Sequence, residues 1–231
     1  MSVLFLTRFS IPECFLSTQK HFQLSRNKTE KKYKEELFSK KRLDQKMNYF
    51  QSLTFPSITK QKNKNWKWYI FISFELPEEY ILELEKLINP FSKQIFMHQV
   101  QDILDFKSLS SRILEETPKP YISSRIDDDD GISENFVEQI LFYIGMDKHI
   151  INFINGRISF YNQYTNDIEF GNSITYFNNS VGLSMINYNI FDLGNHIKIH
   201  NKNNIIYNNQ KDMFYLTHDS NVCDTKRPLK N

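Results

Sequence analysis

Tyr121 to Ile132 reads YISSRIDDDDGI, and the fold turns on how that stretch is read. Tyr121–Ile126 is a short run of apolar and β-forming residues, the length of a buried strand. Four carboxylates, Asp127 to Asp130, follow it directly. After Gly131, Phe136, Ile140 and Tyr143 recur at helical spacing, which predicts a helix from Ser133 to Ile144 with Ser133 as its cap. A strand, an acidic turn and a helix in that order are what an α/β sandwich presents at the carboxyl end of a parallel sheet. Such folds bind their ligands there.

Outward from this stretch the alternation continues. Val3–Phe9 predicts a buried first strand. It lacks the basic start, the long apolar run and the small-residue cleavage site of a targeting segment, so the expected location is cytoplasmic. Leu37, Phe38, Leu43, Met47, Phe50 and Leu53 predict a helix from about Glu35 to Ile58, with Pro56 near its end, where proline kinks or stops a helix. Trp68–Phe74 reads as a buried strand, and Trp66 and Trp68 share one face of it, which favours burial over a sugar-stacking role. Pro77 opens a helix that runs to Ile88. Ile95–Met97 is a short strand and Ile103–Leu114 a helix. The expected class is α/β with a mostly parallel central sheet. Of 23 asparagines, 17 lie after residue 151, mixed with Ile, Tyr and Phe, so the C-terminal half reads as short strands and loops.

Composition narrows the function. The 231 residues carry 29 Lys and Arg against 27 Asp and Glu, a net charge of +2, too even for a global polyanion binder. Residues 1–67 hold 15 cations against 5 acids and the remainder 14 against 22, and much of the positive charge falls between Lys20 and Lys46. That stretch is either a solvated loop and helix face or a basic surface that meets anionic lipid, as a peripheral membrane contact, or an anionic ligand. A mean hydropathy of −0.53 and no apolar run near eighteen residues exclude a transmembrane helix. Two cysteines, Cys14 and Cys223, make neither a disulfide scaffold nor a cysteine zinc site.

The acidic run has three readings. It could be an inert, solvated turn. A calcium loop fails on spacing, because with Gly131 as the turn glycine the first and twelfth positions are Ile126 and Val137. A glycine-rich phosphate loop fails too, since the chain has only six glycines and neither pattern. A metal–diphosphate site remains: carboxylates at a strand end hold Mg²⁺ or Mn²⁺, which bridges two phosphates of a nucleotide. Both Asp127-Asp128-Asp129 and Asp128-Asp129-Asp130 satisfy an Asp-x-Asp pattern.

Four blocks carry a resemblance to the rhamnosyltransferase family, within the large class of GT-A glycosyltransferases. Thr7-Arg8-Phe9 resembles its opening segment. Phe50–Ser73 is similar to its helix with Pro-Ser, a following Gln and an Asn-aromatic pair, here Pro56, Ser57, Gln61, Asn65 and Trp66. Ser124–Ile132 resembles its R-(apolar)-D-x-D-D motif, and Met213–Asn221 its late aromatic–Leu–x–x–His–x–x–Asn segment. Residues 10–34 match nothing in it and read as a basic insertion. The resemblance implies a GT-A-like single domain over 1–231, with a nucleotide-sugar-binding half at 1–146 and an acceptor-side half at 147–231. It further implies a nucleotide-sugar donor, a Mn²⁺ or Mg²⁺ cofactor and transfer of a deoxyhexose-like sugar, rhamnose by the family's name, to a glycan or glycolipid, as in polysaccharide biosynthesis.

On that reading Asp130 is the first metal ligand and Asp129 the next. Asp127 turns towards the ribose or the metal's water shell, and Asp128 points to solvent. Arg125 pairs with the cluster, as a plain salt bridge or a ligand contact. Arg8 meets the nucleotide base or phosphate, or is a surface arginine. His218 is a late metal ligand or diphosphate contact, or an exposed histidine; His196 and His200 are structural. An acceptor base could be Asp167, Glu169, Asp192, Asp212 or Asp219, and sequence does not choose. Two other functions stay open: a metal-dependent phosphohydrolase or nuclease, which needs a second carboxylate–histidine group, and a non-catalytic carbohydrate-binding protein.

Overall fold

The structure, a computed structural model, describes residues 1–17, 22, 24–146, 149–177, 179–194 and 204–217. Its strands in the first half are β1 (Ser2–Phe9), β2 (Trp66–Ser73), β3 (Ile95–Val100), β4 (Tyr121–Arg125) and β5 (Gly131–Ile132). The second half adds β6 (Ile150–Phe153), β7 (Asn155–Asn162), β8 (Asp167–Thr175), β9 (Ser184–Ile186), β10 (Ile205–Asn208) and β11 (Phe214–Thr217). Seven strands form one sheet in the order β10-β6-β9-β4-β1-β2-β3, and four form a second in the order β5-β11-β7-β8. β4, β1, β2 and β3 run parallel, while β9 is antiparallel to both its neighbours. The central sheet is thus mostly parallel, as its apolar strands predict.

Alternation along β1 divides the core between the two faces of this sheet. Val3, Phe5 and Phe9 pack with Phe50, Trp68, Phe136 and Phe153 on one side. Leu4 and Leu6 pack with Phe71, Phe106 and Phe191 on the other. Burial on both faces is why β1 reads as a continuous apolar run rather than an alternating one. Trp66 and Trp68 are both buried, and the Trp68 Nε1–H donates to Thr7 Oγ1 at 2.9 Å.

The single helix expected from Glu35 to Ile58 is three pieces: α1 (Glu30–Leu37), α2 (Lys40–Tyr49) and α3 (Phe55–Thr59). Ser39 is extended (ψ 138°), which separates α1 from α2. Pro56 neither stops nor sharply ends the helix. The chain widens into a π turn over Phe50–Thr54 just ahead of it, and a wide turn accommodates a residue with no N–H to give. The remaining helices are α4 (Glu78–Ile88), α5 (Ile103–Glu115) and α6 (Phe136–Leu141). In the basic stretch Lys28 pairs with Glu36, Lys34 with Glu30 and Glu75, and Lys40 with Asp44, so part of its charge is neutralised locally. No helix among the described residues is long and apolar enough to cross a membrane.

The expected helix Ser133–Ile144 shortens to α6, and Ser133 is not its side-chain cap. That task falls to Gln61, buried at the end of α3. Its Oε1 accepts from the Val137 N–H in the first turn of α6 (2.9 Å), and its Nε2 donates to the Ser133 carbonyl (2.6 Å). Gln61→Ala would strand the Val137 N–H in the interior, while the Ser133 carbonyl keeps the Phe136 N–H at 3.0 Å. We expect a loss of about 1–3 kcal/mol, read as a lower urea midpoint at unchanged slope. A loss below about 0.5 kcal/mol, within the range of ordinary surface changes, would contradict this role.

Candidate functional site

The order of the large sheet fixes where a ligand can sit. From β1 the chain adds β2 and then β3 on one side, and returns to place β4 on the other. The crevice beyond the carboxyl ends of β1 and β4 is therefore the topological switch point. Arg8 stands at the end of β1 and Arg125 at the end of β4, and the Ile126 N–H donates to the Leu6 carbonyl as the chain leaves the sheet. Asp127 to Asp130 make the turn that follows, closed by a 3.3 Å bond from the Asp130 N–H to the Asp127 carbonyl. Gly131 then enters β5, so the turn joins the two sheets. A Cβ at Gly131 would lie 2.8 Å from Leu53 Cδ1, so glycine lets the π turn approach this closely.

The four carboxylates have different surroundings. Asp127 is held by Arg125 through two bonds, Nε to Oδ1 at 3.0 Å and Nη2 to Oδ2 at 2.6 Å. Arg8 reaches the same carboxylate through one long contact of 3.4 Å. Asp128, expected in solvent, is 3% exposed, and both its oxygens accept from Lys46 Nζ at 2.6 Å. A carboxylate turned inward needs a cation brought to it, and α2 supplies one. Asp129 and Asp130 are also buried. Asp130 Oδ1 accepts from the Thr217 N–H at 2.9 Å, and the Thr217 hydroxyl donates to the Asp129 carbonyl. Burial, then the charges of Asp129 and Asp127, push the Asp130 carboxyl well above the ordinary carboxylate range, against the Thr217 N–H and Arg125. Burial opposes the charge of Arg125, but Asp127, Asp130 and Asp129 together outweigh it and raise its pKa.

The two arginines share an aromatic bed. Phe191 lies under both, 4.9 Å from the Arg8 guanidinium carbon and 5.6 Å from that of Arg125. Phe22, from the basic insertion, lies 5.3 Å from Arg8 and so borders this end of the crevice. Asp192 adjoins Phe191 in sequence. Asp167 and Glu169 stand exposed on β8, and Asp212 occupies a left-handed turn (φ 54°) before β11. His218, Asp219, His196 and His200 lie outside the described residues. Among the described residues no group of three or more His, Cys, Asp and Glu side chains gathers as a metal cage.

Sequence reasoning brought Arg8, Arg125 and Asp127 to Asp130 together and missed Lys46, Phe191 and the role of Thr217. One signal for Lys46 was present: it sits three residues after Leu43 and four before Phe50, within the apolar stripe of the helix. A lysine there needs an acidic partner.

A mostly parallel sheet with an acidic turn at its switch point, tied to a smaller sheet, is the arrangement of the GT-A glycosyltransferases. The family described as "Putative rhamnosyl transferase" matches residues 2–230, and the chain belongs to it. Two solved structures share the fold. S. aureus TarS 1–349 aligns with a TM-score of 0.51 at 10% identity, over 94% of this chain and 60% of that one. The same protein in complex with UDP aligns with a TM-score of 0.51 at 11% identity, over 94% of this chain and 61% of that one. This chain spans about three-fifths of the length of that relative. No curated protein matches it in sequence.

Proposed function

We propose that the chain transfers a deoxyhexose-like sugar, rhamnose by the family's name, from a nucleotide-diphosphate donor to a glycan acceptor, with a divalent cation at Asp129 and Asp130. The observation that carries this reading is the packing of the acidic turn at the switch point: Asp129 and Asp130 are buried side by side just beyond β4, and burial with the neighbouring carboxylates raises the Asp130 carboxyl. Arg125 and Arg8 bind Asp127, and Lys46 binds Asp128. The donor chemistry fits the cation. Mg²⁺ takes hard oxygen ligands and is commonly held by one or two carboxylates plus substrate phosphates and water rather than by an all-protein cage. A cation would also relieve the repulsion that raises Asp130. When bound, it would supply charge stabilisation for the departing diphosphate.

The chain's own residues set the geometry around it. Thr217 fixes the Asp130 carboxylate and the Asp129 carbonyl from β11, and we propose His218, the next residue, as a further ligand or diphosphate contact. Arg125 locks Asp127. Arg8, whose contact with Asp127 is long and which lies over an aromatic bed, can turn from Asp127 to a phosphate or base of the donor. That donor contact is consistent with the UDP complex of TarS, which shares the fold.

The two arginines are thus expected to behave differently. Arg8→Ala should weaken donor binding about tenfold, the order of one charge-assisted contact, with a thermal midpoint near the parental one. Arg125→Ala should cost on the order of 2–3 kcal/mol of stability, since Asp127 loses its bidentate partner in a largely buried setting. Calorimetric titration and chemical denaturation of both variants check this, and equal behaviour of the two would contradict it. The reaction itself is tested by following slow donor hydrolysis across a panel of nucleotide sugars with and without Mn²⁺. Metal-dependent release of one nucleoside diphosphate supports the proposal. No release from any donor, in a protein that binds a nucleoside diphosphate with Mn²⁺, would leave a binding protein of the same fold.

A further inference from the structure

Lys46 does more than balance a charge. Its Nζ lies 2.6 Å from both oxygens of Asp128, and the two side chains are 8% and 4% exposed. Three and seven residues on, along the same stripe of the helix, Tyr49 and Leu53 reach the same region. The Tyr49 hydroxyl accepts from the Tyr161 N–H at 3.0 Å, with its ring 5.8 Å from that of Tyr161, and Leu53 lies against Gly131. One stripe of α2 and the π turn therefore touches the middle of the acidic turn, the first residue after it and β7. Thr217 approaches Asp129 and Asp130 from β11. A buried ion pair is a poor choice for stability alone, because an apolar pair of similar volume usually does as well or better; a fixed register is its best-attested use.

We infer that Lys46 is a positioning residue that locks the acidic turn: it draws Asp128 inward and so presents Asp129 and Asp130 to the crevice. The link to donor binding rests on the function proposed above; the lock itself does not. It predicts that the bond, and not merely its charge, is needed. Removing Lys46 alone would leave Asp128 buried without this cation and could unfold the protein. The decisive variant is therefore Lys46→Met with Asp128→Asn, which removes both charges together.

Two readouts are taken on the full chain. The first is amide hydrogen exchange over residues 126–131 without ligand. The second is affinity, in the presence of Mn²⁺, for UDP, GDP and dTDP. The double variant is expected to keep a thermal midpoint within a few degrees of the parent, to exchange at least about tenfold faster in the turn, and to bind its nucleotide about tenfold more weakly, the order seen for partners that orient metal ligands. Parental exchange in the turn would overturn the lock, whatever the nucleotide result. Faster exchange with parental affinity would overturn its link to the donor site. Faster exchange in a protein whose parent binds none of the nucleotides would uphold the lock and count against the donor reading.

Discussion

Asp130→Asn is expected to lower sugar transfer at least about 100-fold while raising the thermal midpoint of the ligand-free protein. The two effects have one cause. Asp130 is buried beside Asp129 and Asp127, and that burial and repulsion disfavour its charged form. An asparagine has nearly the same shape, can still accept from the Thr217 N–H and carries no charge, so the resting fold gains. The charge is what a cation needs, and losing one interaction aimed at a developing or leaving charge typically costs 10²–10³ in rate. Gain of stability with loss of function is the signature of a group kept for its chemistry. Scanning fluorimetry and a transfer assay on one preparation read both. A variant of parental activity would reduce the acidic turn to a structural feature.

Trp68→Ala is expected to cost about 3–5 kcal/mol, the range for truncating a fully buried aromatic. For a domain of this size that is a fall of roughly 6–20 °C in midpoint. Trp68 is wholly buried between β1 and the π turn, with Phe50 at 5.5 Å and Phe55 at 6.0 Å, and its indole N–H is bound to Thr7. Such a ring cannot stack on a sugar. Donor binding measured well below the lowered midpoint should therefore persist, with an affinity within about threefold of the parent, since truncations that leave the contacting residues in place move affinity little. A loss of affinity with unchanged stability would place Trp68 in the binding site instead.

What could be read from sequence followed from strong local signals. The apolar runs of β1, β2 and β4 placed the sheet, because buried parallel strands have few alternative explanations, and the acidic residues after β4 fall at its carboxyl end. Helix ends were less legible. Neither the break at Ser39 nor the π turn before Pro56, which packs against β5 and β8, is recorded in the helical period. The cap of α6 was misread for a similar reason. Ser133 is a good local candidate, but Gln61, 76 residues from Val137 in sequence, occupies the position. The fate of Asp128 was the clearest miss. A run of identical side chains carries no information on which of them turns inward, and the answer lay in a lysine 82 residues away. The pairing of β11 with β5, which brings Thr217 onto Asp129 and Asp130, is equally non-local, although the two segments had stood out separately as motif blocks.

The central claim is that this turn holds a divalent cation together with the diphosphate of a nucleotide donor. Titration calorimetry of the full chain with UDP, GDP and dTDP, each with Mn²⁺ and with excess chelator, tests it most directly. The account predicts that at least one nucleotide binds at micromolar affinity with Mn²⁺ and at least about tenfold more weakly under chelator, and that Asp130→Asn removes the difference. Binding of equal strength with and without the metal, or an undiminished metal effect in Asp130→Asn, would contradict it.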